Sequence, residues 1–194
     1  MITKINDIVL QALALFTRGY RSHHHIREAA RLLNTSTRTA LTTLDKLEQA
    51  GILKAATRGR NKTYAPHTTT TARDHLLLAE HYKKLKFLDH NPLLKEILEQ
   101  AATHTDGTLA VFGSHAKGTA TEHSDLDLLI IGTADEEAIK AVSHTYGVRT
   151  DTKTYPASHL HPGTDDTVLR QAIQDHILIK DAEGFIRRAA TWTG

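Results

Sequence analysis

Asp125 and Asp127 stand one residue apart inside an otherwise apolar run, "SDLDLLIIG". Strand side chains alternate between faces, so a strand over 125–131 turns Asp125, Asp127, Leu129 and Ile131 one way and Leu126, Leu128 and Ile130 the other. Two residues of a strand sharing a face lie ~7 Å apart at their Cα atoms. From there, two carboxylates can converge on a pair of cations ~3.5–4 Å apart, the spacing used in phosphoryl and nucleotidyl transfer. Without cations, neighbouring carboxylates in a cleft repel and resist ionisation. Hard oxygen donors suit Mg²⁺ or Mn²⁺ better than zinc.

The segment just before this strand supplies a complementary chemistry. "TLAVFG" is a short apolar run that ends at Gly113-Ser114. Glycine allows backbone to approach a phosphate closely. Amides at the following turn or helix start, together with the Ser114 hydroxyl, can cradle a triphosphate tail, and Lys117 is placed to neutralise it. A Gly-Ser turn alone is common, and an Asp-x-Asp at a strand start is often a solvated edge. Their order here, ten residues between Ser114 and Asp125, makes the combination specific.

The stretch "FGSHAKGTATEHSDLDLLIIG" resembles the minimal form of the DNA-polymerase-β-like nucleotidyltransferases. The shared pattern is a hydrophobic strand, Gly-Ser, a basic residue three positions on, then Ser-Asp-x-Asp in a second strand. The resemblance implies that Gly113, Ser114, Lys117 and Ser124 hold the nucleotide and that Asp125 and Asp127 hold the metals. It further implies a small mixed sheet flanked by helices. Such enzymes use a third carboxylate on a neighbouring strand to bind one metal and help deprotonate the attacking hydroxyl. In "GVRTDTKTYP" the one acid is Asp151, on a face with Arg149, Lys153 and Tyr155. Asp151 is either that third ligand or an exposed strand residue, and Lys153 is an alternative contact to the nucleotide. Asp165 and Asp166 read as caps of the next helix. His115 and His123 flank the motif, either as catalytic groups or as exposed loop residues.

The elements that must carry this site are preceded by a module of opposite character. Residues 1–70 hold 11 Lys/Arg against 4 Asp/Glu, a net +7, whereas residues 71–194 hold 13 against 18, a net −5. A basic half attached to an acidic half suggests a polyanion-binding module joined to one with a different task. Three helical patterns open the chain. Ile5, Ile8, Val9, Ala12, Leu13 and Phe16 define the first; Ile26, Ala29, Ala30 and Leu33 the second; Ala40, Leu41, Leu44 and Leu47 the third, over about 36–50. A tight polar turn, "NTS", joins the last two, as in a helix-turn-helix. "ILKAATRGRNKTYAP" then reads as a hairpin, the wing of a winged helix.

On this reading Thr37, Arg38, Thr42 and Lys46 face base edges and phosphates of DNA, and Arg58, Arg60 and Lys62 at the hairpin tip face the flanking phosphates. RNA is a second polyanion of this kind, and a winged helix used only for protein contacts is the alternative. The run His23–His25 reads as a loop leading into the second helix rather than a metal site, since three consecutive histidines cannot all face one ion. The "HIREAARLLNTSTRTALTTLDKLEQAGIL" segment, "NPLLKEIL" and "HILIKDAEGFIRRA" resemble a prokaryotic group in which a winged helix is fused to the transferase domain.

Residues 72–90 continue as a helix, and Asn91-Pro92 starts another with proline in its first turn. The organisation expected is α+β: a winged helix-turn-helix over 1–68, a helical linker over 69–103 and a nucleotidyltransferase domain over 104–194. The linker helix is a spacer or a homodimer contact. There are no cysteines, which excludes disulfides and thiolate metal sites and fits a reducing compartment. The N-terminal segment lacks the apolar run of a signal peptide or membrane span, so a cytoplasmic location is expected.

The leading functional expectation is an NTP-dependent, two-metal nucleotidyltransferase with an acceptor that is a protein side chain, a nucleic-acid 3′ end or a small molecule. The alternative is a winged-helix transcriptional regulator whose transferase-like domain senses nucleotide without turnover. A weaker reading is the antitoxin half of a two-component pair.

Overall fold

Side-chain caps set most of the helix starts. The computed structural model describes residues 6–58 and 61–192. Asn6 accepts the Val9 amide and opens α1 (Asp7–Ala14). After a two-residue strand, β1 (His24–His25), the ring of His25 accepts the Glu28 amide at 3.0 Å and opens α2 (Ile26–Leu32). Ser36 caps α3 (Thr37–Gln49) in the same way. The histidine run is therefore not a plain loop: its last two residues pair as a strand and its final imidazole is a helix cap, because neutral imidazole has a free lone pair for an orphan amide.

β2 (Leu53–Arg58) and β3 (Asn61–Pro66) form an antiparallel hairpin, and β1 pairs with β3 to give a three-stranded sheet of order β1-β3-β2. Ala12, Leu13, Phe16, Ala29, Ala40, Leu44, Leu47, Ile52, Leu53 and Tyr64 are buried, so the helical periodicities did mark a core. Ile5 and Arg60 lie outside the described residues, as does the side chain of Arg58. Helix α4 (Thr70–His90) follows.

The chain divides into two compact units, one of residues up to Tyr82 together with the last residues from Thr191, the other Lys83–Ala190. The range expected as a linker, 69–103, is shared between them.

In the second unit Pro92 occupies the first turn of α5 (Pro92–Thr103), where its missing N–H costs nothing. β4 (Thr105–Val111), α6 (Gly113–Lys117), β5 (Leu126–Ala134), α7 (Glu136–Thr145), β6 (Thr150–Tyr155), α8 (Thr167–Gln174), β7 (Ile177–Lys180) and α9 (Ala182–Ala189) follow in order. The sheet order is β6-β5-β4-β7; β5 and β6 are parallel, and β4 is antiparallel to both β5 and β7. This is the small mixed sheet with flanking helices that the resemblance implied.

Leu94, Ile97, Leu98 and Ala101 of α5 pack with Leu109, Val111, Leu126, Leu128, Ile130 and Ile139 in one apolar cluster. Two boundaries differ from expectation. β4 begins at Thr105 rather than Thr108, and β5 begins at Leu126, so Asp125 precedes the strand rather than opening it. Asp166 caps α8 by accepting the Leu169 amide at 3.0 Å, as expected. No helix among the described residues is long and apolar enough to cross a membrane.

Candidate active site

The alternation of β5 places the carboxylates. Leu126, Leu128 and Ile130 enter the cluster on the α5 face, which turns Asp127 to the opposite face of the sheet. In the parallel pairing of β5 with β6, Asp127 stands opposite Asp151, and Leu126 opposite Thr150. Residues that pair in this way share a face, so Asp127 and Asp151 are cross-strand neighbours. Asp125 continues the same register beside Arg149: the Leu126 amide donates to the Arg149 carbonyl at 2.8 Å.

Gly113 is fixed by this arrangement. Its φ is +66°, and a Cβ built there would lie 2.0 Å from Asp127 Oδ2. Besides any role toward phosphate, only glycine here leaves room for the Asp127 carboxylate. α6 starts at Gly113 directly after β4, so Ser114 stands in the first turn of a helix at the end of the sheet, beside Asp127.

Asp127 is half-buried. Burial pushes its carboxyl up from the ordinary range, and the neighbouring Asp151 charge adds to this. His115 opposes the rise, Asp125 reinforces it and Lys153 opposes it. A carboxylate destabilised by burial and by two like charges is one that an added cation would relieve. Imidazole Nε2 of His115 is buried with no hydrogen-bond partner among the described residues.

The outer carboxylates are differently placed. Arg149 Nε donates to Asp125 Oδ1 at 2.8 Å, and Lys153 Nζ donates to Asp151 Oδ1 at 3.1 Å. As placed, no three His, Asp or Glu side chains among the described residues stand close enough together to enclose a metal ion. The donor set nonetheless fits Mg²⁺ or Mn²⁺: hard carboxylates, with Asp127 and Asp151 on adjacent strands and Asp125 just before β5, and the Asp127 carboxyl pushed up by burial and then by the charges of the other two.

The remaining expected residues are less drawn together. The Ser124 hydroxyl accepts the Thr121 amide at 2.9 Å and closes the turn before β5. Lys117 is exposed at the end of α6, in a shallow pocket of about 280 Å³ with Arg170 and Gln171. A larger cleft of about 620 Å³ opens beside Asp125, bounded by His90, Leu93, His115, His123 and Arg149. Sequence reading put Arg149 on the face of Asp151 without giving it a partner. The pairing with Asp125 needed the parallel β5-β6 register, which no local pattern displays.

In the first unit, Thr37, Arg38, Thr42 and Lys46 are all exposed on α3. Lys62 is turned back onto α3, donating to Asp45 Oδ1 at 2.7 Å and Glu48 Oε2 at 2.6 Å. The Tyr64 hydroxyl donates to the same Asp45 oxygen at 2.5 Å.

Residues 92–180 match the family model of the nucleotidyltransferase domain. That span runs from the start of α5 to the end of β7 and contains Gly113, Ser114, Asp125, Asp127 and Asp151. The match supports a nucleotidyltransferase domain here and, with it, nucleotidyl transfer as the general class of reaction. No curated protein and no solved structure matches the chain.

Proposed function

We propose that the protein is a metal-dependent nucleotidyltransferase that moves NMP from an NTP to an acceptor hydroxyl, and that its N-terminal unit is a DNA-binding winged helix. The observation that carries the first part is the register that sets Asp127 opposite Asp151, with Asp125 just before β5 and Gly113 against Asp127, within the segment that matches the transferase domain. Gly113 and Ser114 receive the phosphate tail, with Lys117 beside it. Asp125, Asp127 and Asp151 hold Mg²⁺ or Mn²⁺, which when bound supplies positive charge to the developing oxyanions. Asp151 accepts the proton of the attacking hydroxyl. The hydroxyl oxygen forms a bond to the α-phosphorus, the bond to the bridging oxygen breaks in line, and pyrophosphate leaves. Most of the rate on this reading comes from positioning and charge.

Support for the second part is the arrangement α1, β1, α2, α3 and hairpin, with α3 presenting Thr37, Arg38, Thr42 and Lys46 outward in a strongly basic half of the chain. A helix exposed in this way suits a major groove, with the hairpin and Arg58 alongside. DNA binding would bring the transferase unit to a nucleic-acid locus.

The test incubates the protein with α-labelled NTPs, Mg²⁺ or Mn²⁺, and protein, RNA and DNA acceptors, beside Asp125→Ala/Asp127→Ala. Label transfer by the wild type and its loss in the double variant is the expected result. Transfer that survives the double substitution, or nucleotide-dependent operator binding without pyrophosphate release, refutes the enzyme reading.

A further inference from the structure

Two basic side chains of one strand edge are committed to two of the three carboxylates. Arg149 and Lys153 flank Asp151 at alternate positions, so all three fall on one face around β6. The register that sets Asp127 opposite Asp151 also sets Asp125 level with Arg149. Hence Arg149 reaches across to Asp125 at 2.8 Å, while Lys153 takes Asp151 at 3.1 Å on its own strand. A second guanidinium nitrogen of Arg149 donates to the His123 carbonyl at 3.4 Å, in the turn before β5. The Arg149 side chain is 77% exposed and that of Lys153 43%, so both can leave without opening the core. Among the described residues Asp127, between them, has no such ion pair; its place is confined by Gly113 instead.

Resting on the transferase reading, we propose that Arg149 and Lys153 are exchangeable counter-ions of the metal site. They hold Asp125 and Asp151 while no divalent cation is bound, give them up when the cation arrives, and then contact the phosphate oxygens of the incoming ligand. The logic is electrostatic. Each side chain occupies one carboxylate oxygen, Oδ1, so a divalent cation seated on that oxygen displaces it. A released guanidinium at the mouth of the 620 Å³ cleft is a fork for two phosphate oxygens. Arg149 and Lys153 are thus positioning residues with two successive partners, and metal binding is what changes the partner.

The sign of the effect separates this from a purely structural role. Mn²⁺ binding is titrated by the electron paramagnetic resonance of free Mn²⁺, for wild type, Arg149→Ala, Arg149→Lys, Lys153→Ala and, as a charge control on α7, Lys140→Ala. Removing an exposed ion pair that competes with the metal should tighten Mn²⁺ binding about two- to fivefold in Arg149→Ala and Lys153→Ala, with Arg149→Lys close to wild type and Lys140→Ala unchanged. The same Arg149→Ala should bind Mn²⁺–tripolyphosphate about tenfold more weakly, because a charge-assisted contact is lost. Misfolding weakens both and cannot tighten either. Mn²⁺ affinities equal to wild type, or tripolyphosphate binding unchanged in Arg149→Ala, overturn the exchange while leaving the transferase reading standing. A wild type that binds no Mn²⁺ overturns both.

Discussion

Gly113→Ala should disable the site at small cost to the fold, and Gly118→Ala should carry the same small cost while leaving the site intact. Both glycines have left-handed backbone, φ +66° and +69°. An alanine in that region costs about 1–2 kcal/mol, because its Cβ crowds the following carbonyl. The two variants should therefore lose the same few degrees of thermal stability. They differ in surroundings: a Cβ at Gly118 meets nothing within 4 Å, whereas one at Gly113 lies 2.0 Å from Asp127 Oδ2 and 2.9 Å from its Cγ. A contact of 2.0 Å cannot persist. The flexible carboxylate is what gives way, so the fold survives and Asp127 leaves its place. Even the outer partners of metal ligands are worth about 10- to 100-fold in metal affinity; moving a ligand itself should cost at least that. The assay is Mn²⁺ binding together with thermal unfolding by circular dichroism. Gly113→Ala that binds Mn²⁺ within about twofold of Gly118→Ala refutes the claim that this glycine exists to seat Asp127.

Two further outcomes concern the first unit. Arg38→Ala and Lys46→Ala should each weaken binding to duplex DNA and lower the salt slope by about one, read from Kd against log salt concentration; Lys62→Ala, whose ammonium is held by Asp45 and Glu48, should leave that slope unchanged. Burial, then the hydrogen bond to Asp45, pushes the Tyr64 hydroxyl up to about 12. Since the raised value favours the neutral form in the folded state, Tyr64 contributes stability that is complete below pH ~10 and is lost as pH rises from ~10 to ~12. Urea unfolding across that window should show a stability decline that Tyr64→Phe flattens; an identical decline in Tyr64→Phe refutes it.

What the sequence could show depended on whether the physics was local. The alternation of "DLDLLII" is a property of one strand, and it correctly separated Asp127 from Leu126, Leu128 and Ile130. The proline in the first turn of α5 is likewise local and stands where the pattern put it; Ser36, read as the first residue of the third helix, is its cap. His25 stands at the entry to the second helix as read. Its capping role and the short strand with His24 were not legible, because histidine is not among the favoured cap residues and the strand partner lies in β3. The Arg149–Asp125 pair lay beyond reach for a different reason: 24 positions apart in sequence, the two become neighbours only through a parallel register, and that register is set by the crossover through α7. The same holds for Gly113. Its crowding by Asp127 is a contact between β5 and the turn that leaves β4, so the residue type was legible and its reason was not. Composition alone would have called Arg149 and Lys153 solvated charges of an exposed strand. On the proposed exchange, their placement on the two outer carboxylates sets them against divalent cations for the same oxygens, and the affinity of the site for metal would then depend on β6 as much as on β5.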